Sequence, residues 1–486
     1  MTRHYRGADF SDLGWTPIRA DKSENLLLTA DLPRLQARAL YLHRNNSVAS
    51  AFSRSFTDFI AGTGLTAVGP EMGTQIFREW AKSACISGTQ DLDSIYAQIV
   101  KQQVEVGDCL VLIVNDSSAF GLQTRIQIVS STRLTNPENT PQGGTWRGLR
   151  FWHGVGFTAS GKEAGYYYKD EDADGGVFVA CEDPKTGRPL AVLMRRPNSQ
   201  APLQSRGLPI ITPIMQEISD IANLWDACLK RAHKDAAISV ILETDRPSDT
   251  YAGVGAVDED GNAIIDPFGS GVTLLSDAVP DGIMTVPRGT KVQNVTPSGN
   301  TDLDVLFERS VRFACAAVGA PVEVVFKDFS RTNFASGKLS TEGFYRYADA
   351  WNRGNSFAFA RIYKAVMMEA YLMGMISIEE ATQVPSWIGS PNYSEVDAVK
   401  TANAAKTNLE TGLTTMTSEL AKRGIDLVAH LETRANEIAV IQKVAEKYNL
   451  KPSDLMGNYA NESQAEEPKD PQENDTEEPK GAQNDE

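Results

Sequence analysis

The sequence predicts an α+β protein whose helices and strands are largely segregated along the chain. Three observations carry this expectation. Residues 107–200 hold short apolar runs separated by turn residues. Residues 214–246, 341–375 and 392–451 contain no proline and place apolar residues at three- and four-residue steps. A stretch rich in Gly, Pro and Asp, 247–297, lies between two of the helix candidates. At 486 residues the chain is too long for one ordinary core, so several structural regions are expected.

Residues 1–31 scatter aromatics among Gly, Asp and Pro and read as an arm that docks elsewhere. From Leu32, apolar residues recur at helical spacing through Leu35, Ala39 and Leu42, then through Val48, Phe52, Phe56 and Ile60. The Asn45-Asn46 pair divides them into two helices, and Gly62 and Gly64 end the second. Further helices are expected over Met72–Cys85 and Leu92–Val106. DCLVLIVN, at 108–115, is an apolar run bounded by turn residues, as a buried strand would be. RIQIV (125–129), AGYYYK (164–169), VFVA (177–180) and PLAVLMR (189–195) continue as strands, so a mostly-β unit follows the helical start.

Ile214, Ile218, Ile221, Trp225 and Leu229 mark one long helix over most of 214–246. After the turn-rich stretch, with strand-like runs at 272–276 and 283–287, a second helix runs Asp302–Val318. Asp302 is placed to cap it, and Leu303, Leu306, Phe307, Ser310, Phe313, Ala314 and Ala317 form one face. Residues 326–340 are too polar for a core strand and read as a loop. An aromatic-rich helix is expected from Thr341, broken or kinked at Gly354 and Gly374. Helices within Val399–Tyr448 are interrupted near Gly412 and Gly424, with Leu409, Leu413, Met416 and Leu420 as an apolar stripe.

The formal net charge is −16, so the surface repels DNA on average and a tight non-specific nucleic-acid binder is not expected. Half of that excess sits in Asn461–Glu486, where ten acidic residues face two lysines; this tail reads as disordered. The five cysteines are odd in number and widely spaced, which fits buried thiols in a reducing compartment. No run approaches the roughly 20 apolar residues of a membrane helix, and the first residues lack a signal-peptide core.

Patterns that would announce catalysis do not form. His4, His43, His153, His233 and His430 make no HExxH or HxH, and no CxxC accompanies them. Gly337-Lys338 lacks the glycine ladder of a phosphate-binding loop, and Gly269-Ser270-Gly271 is too short for a nucleophile elbow. Asp170-Glu171-Asp172-Ala173-Asp174 lacks EF-hand spacing and reads as a solvated turn. No cofactor or metal is expected. A two-metal nuclease built from scattered carboxylates stays open on spacing alone.

One irregular segment is specific. Gly319, Pro321, Glu323, Asp328, Phe329, Ser330, Asn333, Phe334 and Ser336 resemble the Gly-x-Pro, Glu, Asp-Phe-Ser and Asn-aromatic-x-Ser run of the lambda-family phage portal proteins. Arg44-Asn45-Asn46, Gln204-Ser205-Arg206-Gly207-Leu208-Pro209, and Glu419 through Asp426 are similar to its other landmarks, in the family's order. The chain departs from the family in Phe334, often Tyr there, and in Lys338, often Arg. The resemblance spans roughly residues 30–445.

What the resemblance implies is a portal fold assembled as a ring of about twelve subunits. Its wing would comprise 32–208 and 341–391, its stem 209–246 and 301–320, its clip 247–300, its tunnel-loop region 321–340 and its helical crown 392–451, before an acidic tail from 452. The implied partners are the terminase large subunit, the major capsid protein, head-tail connector proteins and, transiently, double-stranded DNA, with no membrane. Lys327, Arg331, Asn333 and Lys338 are the candidates for the DNA channel, with intersubunit salt bridges as the competing role for the three cations; Trp225 and Phe307 are the candidates for stem packing. The rival readings are another structural virion protein, such as a capsid or tail-adaptor subunit, and a metal-dependent nuclease or phage protease.

Overall fold

The computed structural model describes residues 23–69, 71–119, 121–170, 175–197, 201–237, 240–244, 283–287, 301–330, 332–389, 398–421, 423, 425 and 427–455. The chain divides into two compact units, 1–424 and 425–486.

Helix α1, Glu24–Asn45, begins inside the expected arm, and Pro33 lies within it. Asn46 then leaves helical geometry, and its side-chain oxygen accepts the N–H groups of Val48 and Ala49, which starts α2, Ser47–Ala61. Gly62, at φ 50°, ends it. Strand β1 (Leu65–Val68), α3 (Glu71–Ala81) and α4 (Leu92–Glu105) follow. The core between α2, α4 and a later long helix is aromatic and aliphatic, with Phe52, Phe56, Ile60, Ile95, Ile99, Phe344 and Phe359 fully buried. Phe56 meets Phe344 edge to face at 5.2 Å.

Strands β2 (Asp108–Asn115) and β3 (Thr124–Ser130) form a three-stranded antiparallel sheet with a later strand, Ala191–Arg195, in the order β3, β2, Ala191–Arg195. Its side chains alternate in direction. Cys109, Val111, Ile113 and Ile126 pack on the helices. Leu110, Leu112 and Val129 pack on Val155, Tyr166 and Tyr168 of a second sheet. Burial on both faces is why β2 reads as an unbroken apolar run rather than an alternating one. The second sheet is a meander of β4 (Thr145–Trp146), β5 (Leu149–Trp152), β6 (Val155–Phe157), β7 (Glu163–Lys169) and β8 (Gly176–Ala180), and Ala191–Arg195 is β9. Strands β4, β5 and β6 are only two to four residues long, too short to show a period in the sequence.

The helix expected over most of 214–246 is α5, Met215–Ala237, about 35 Å long at 1.5 Å per residue. It is shorter than expected because the β-branched run around Val240 turns into strand β10, Val240–Thr244. Strand β11, Ile283–Pro287, pairs with it in parallel. The strand expected at 272–276 lies outside the described residues. Helix α6 is Thr301–Val318, so Asp302 is its second residue and not its cap. Its buried residues are Val311, Ala314, Cys315 and Val318, while Leu306 and Phe313 are exposed, Phe313 by 74%. Both stripes have helical spacing, and the neighbours of α6 decide which one is covered.

After α7, Val322–Phe326, helix α8 runs unbroken for 39 residues, Phe334–Leu372. It therefore starts seven residues before the expected Thr341, and Gly354 does not interrupt it. Gly354 serves close packing instead: a Cβ there would lie 2.4 Å from Cβ of Pro197. Gly374, at φ 75°, follows the C-terminal end of α8. Beyond α9, Ile378–Thr382, strand β12 (Ser386–Gly389) pairs antiparallel with β1, a pairing the sequence reading did not foresee. Helices α10 (Ala398–Glu410) and α11 (Met416–Ala421) complete the first unit. Leu409, Leu413 and Met416 of the expected stripe are exposed there.

The second unit holds α12, Leu427–Tyr448, and α13, Pro452–Leu455. Part of the expected tail is thus helical, and 456–486 lie outside the described residues. All five cysteines are free thiols. Among the described residues, no helix is long and apolar enough to cross a membrane.

Candidate channel segment and the helix pair that carries it

Helices α5 and α6 lie side by side. Pro213, just before α5, lines one cavity with Ala316–Gly319 at the end of α6, and Trp225 further along α5 meets Phe307 nearer the start of α6 at a ring separation of 5.8 Å. As numbers rise along one helix they fall along the other, so the pair is antiparallel. Trp225 remains 55% exposed and Phe307 half-buried, so these stem candidates touch each other and still present apolar surface outward.

At the end of α6, Gly319 adopts φ 75° and Pro321 starts α7. Lys327 ends α7 in the left-handed conformation, φ 55° and ψ 31°. Asp328 then accepts the N–H of Ser330 at 3.0 Å, the N–H of Thr332 bonds the carbonyl of Phe329 at 3.1 Å, and Asn333 accepts the N–H of Ser336 at 2.8 Å as the N-cap of α8. Glu323 ties the turn together, accepting from Thr332 Oγ1 at 3.3 Å and Ser340 Oγ at 3.4 Å. Burial pushes the thiol of Cys315 up to about 12, with the Glu323 carboxylate adding to the effect.

The polar segment 326–340 is therefore a short, hydrogen-bonded turn followed by two helical turns, not a long loop. Its polarity is the signature of capping: Asp, Ser, Thr and Asn hold backbone N–H groups that no helix satisfies. Lys327 sits on the turn and Lys338 on α8, both exposed. Asn333 is exposed and its side-chain oxygen is engaged in capping α8, and Arg331 lies outside the described residues.

A second group of residues carries no functional motif in the sequence. In the Gln204–Pro209 run, Arg206 is buried and forms a two-pronged ion pair with buried Asp108, Nε to Oδ2 at 2.7 Å and Nη2 to Oδ1 at 3.0 Å. It also donates to the carbonyls of Ser131 at 2.8 Å and His153 at 3.3 Å, and the N–H of Gly207 reaches Asp108 at 2.8 Å. Burial works to raise the Asp108 carboxyl, but Arg206 and the bonds from Arg206, Ser131 and Gly207 together hold it below the usual range. A Cβ on Gly207 would sit 1.9 Å from the carbonyl oxygen of Gly107, so this crossing requires glycine. An Asp inside an otherwise apolar strand start, with an Arg just before a long helix, was the available signal.

Two long antiparallel helices are thus joined through a hydrogen-bonded turn to a third helix of 39 residues, on an α+β body. The family model described as phage portal protein, lambda family, matches residues 11–352. The chain belongs to that family and is a phage portal protein, a structural component of the virion. Portal protein B of Escherichia phage lambda is 22% identical over 463 residues, covering 85% of this chain and 84% of the relative. The portal protein of Escherichia phage N15 is 22% identical over 467 residues, covering 85% of each. Among solved structures, the virion of a native gene transfer agent particle aligns with a TM-score of 0.42 and 13% identity over 80% of this chain and 93% of that one. The neck of an empty gene transfer agent particle aligns with a TM-score of 0.44 and 13% identity over the same shares.

Proposed function

We propose that about twelve copies of this chain close into a ring at one capsid vertex, and that double-stranded DNA enters and leaves the capsid through its centre. In this reading α5 and α6 are the stem, 247–300 the clip, 32–208 with 341–391 the wing, and 392–451 the crown. The observation that carries it is the antiparallel helix pair, joined by a hydrogen-bonded turn to α8 and bearing Trp225, Leu306 and Phe313 on its exposed surface. A heterologous ring needs apolar surface of this kind on each copy, which a lone chain leaves uncovered.

A conduit has to hold DNA weakly, because every fixed cation on a phosphate adds to the work of sliding. An acidic subunit with a few exposed cations, Lys327 and Lys338, meets that requirement. The clip would receive the terminase large subunit first and head-tail connector proteins later, while the wing meets the major capsid protein. Assembly would begin in the host cytoplasm, and no catalytic step is assigned to the chain.

Electron microscopy of the purified full-length protein tests this: hollow rings of about twelve subunits with Lys327 and Lys338 on the lumen are expected. Compact monomers at high concentration, or both lysines on the outer wall, would refute it. Lys327→Glu with Lys338→Glu should leave ring assembly intact and weaken the low-salt retention of duplex DNA by the assembled ring.

A further inference from the structure

The 26 residues between Asp31 and Asp58 contain four arginines and no carboxylate, in a chain of net charge −16. Three of them share one side of α1. At 100° per residue, Arg34, Arg38, Tyr41 and Arg44 fall opposite the buried positions Leu28, Leu32, Gln36, Ala39 and His43. All three arginines are exposed, and Tyr41 between Arg38 and Arg44 is 66% exposed. Elsewhere, exposed helix arginines sit four residues after an acid and pair with it: Arg312 with Glu308, Arg346 with Glu342 and Arg353 with Asp349. On α1 that pattern is missing. Among the described residues none of its three arginines has an acidic partner, and Asp31, one turn before Arg34, bounds the row without pairing to it. Glu105 of α4, whose charge reaches His43 on the buried side of α1, already serves Ser53 at 2.8 Å and Lys101 at 4.0 Å. The result is a cationic ridge about 15 Å long with a phenol in its middle.

We propose that this ridge is a contact for the phosphate backbone of duplex nucleic acid, separate from the channel candidates Lys327 and Lys338. A duplex carries one negative charge per about 1.7 Å of its axis, so about nine phosphates lie along the length of the ridge. Each guanidinium fork can take one of them through two oxygens, and Tyr41 adds a hydroxyl donor. Lysine offers a point charge where arginine offers the fork, so α1 holds a duplex more firmly than the two exposed lysines of the channel segment do. The acidity of the whole chain does not prevent this. At about 0.1 M ionic strength the Debye length is about 10 Å, so a duplex at the ridge meets the arginines while most of the excess acid is screened. The proposal depends neither on ring closure nor on the channel reading.

The test titrates a short fluorescent duplex with the full-length protein over a range of salt and reads anisotropy. Three neutralised phosphates contribute about 2.7 to the slope of log K against log salt. Arg34→Gln, Arg38→Gln and Arg44→Gln together should lower the slope by that amount, so over a roughly fourfold rise in salt the wild type loses about 40-fold more affinity than the variant. Arg34→Lys, Arg38→Lys and Arg44→Lys together should keep the slope, because a point charge also neutralises a phosphate. Circular dichroism of both variants should match wild type, since Gln and Lys keep helix propensity and the positions are solvated. The difference between arginine and glutamine should persist in a Lys327→Glu, Lys338→Glu background, which separates this contact from the channel segment. No binding of the duplex by wild type at low salt, equal slopes for wild type and the Gln variant, or a difference that vanishes in the Glu background overturns the proposal. So does an acidic polypeptide that binds the ridge more tightly than the duplex, or loss of self-association in the Gln variant with duplex binding intact; either assigns the ridge to a protein surface.

Discussion

Replacing Asp108 by Asn keeps the shape of the side chain and removes its charge. Arg206 would then remain buried among Ser131, His153 and Gly207 with no counter-charge, and one Asn nitrogen would face the guanidinium it used to receive. Breaking a buried pair from one side costs about 3–5 kcal/mol, mainly the uncompensated charge. With an unfolding entropy of about 2.1 cal/mol/K per residue, a cooperative unit of roughly 400 residues loses about 4–6 °C of Tm for that change. Differential scanning calorimetry reads the shift, and hydrogen exchange in β2 should show where protection is lost. Substituting both partners, Asp108→Leu with Arg206→Met, should recover part of the loss. Recovery is only partial because the Gly207 N–H and the carbonyls of Ser131 and His153 lose their partners. A single Asn variant melting within about 1 °C of wild type would refute the argument, since the pair would then contribute no more than a surface one.

Other outcomes follow from the same geometry. Burial first, then the nearby Arg206 charge, depress His153 to about 4 from the usual 6.5 of a histidine, with Asp108 opposing. The unfolded chain binds the proton more readily, so this contribution is present above about 6.5 and is lost as pH falls towards about 4; His153→Asn should flatten stability over that window. The Asp108 contribution, from a carboxyl held low, is lost only below about 3.8, which separates the two in an acid titration. Two glycines of α8 should respond oppositely to alanine. Gly343 has open space where a Cβ would go and should gain up to about 1 kcal/mol in thermal or urea denaturation, whereas Gly354 should lose stability against Pro197. Asn333→Ala removes the cap of α8 and should cost about 0.5–2 kcal/mol, with faster hydrogen exchange over Phe334–Lys338.

Helix and strand periods, the Asn46 break, the double-sided apolar strand β2 and the portal family motif were all legible in the sequence, because each is written in residues a few positions apart. Only the tertiary structure decided that 334–340 is helix, since polar residues that cap a helix and polar residues of a loop have the same composition. The same holds for the stripe of α6 that is covered, where two equally periodic faces compete for one neighbour. Pairings between distant parts of the chain leave no local trace: Asp108 finds Arg206, Glu369 accepts the Thr124 N–H at 2.9 Å, and β12 closes on β1. Side-chain periodicity records which way a residue points along its own element, whereas a buried charge or an open strand edge is satisfied by whichever distant group folding brings within reach.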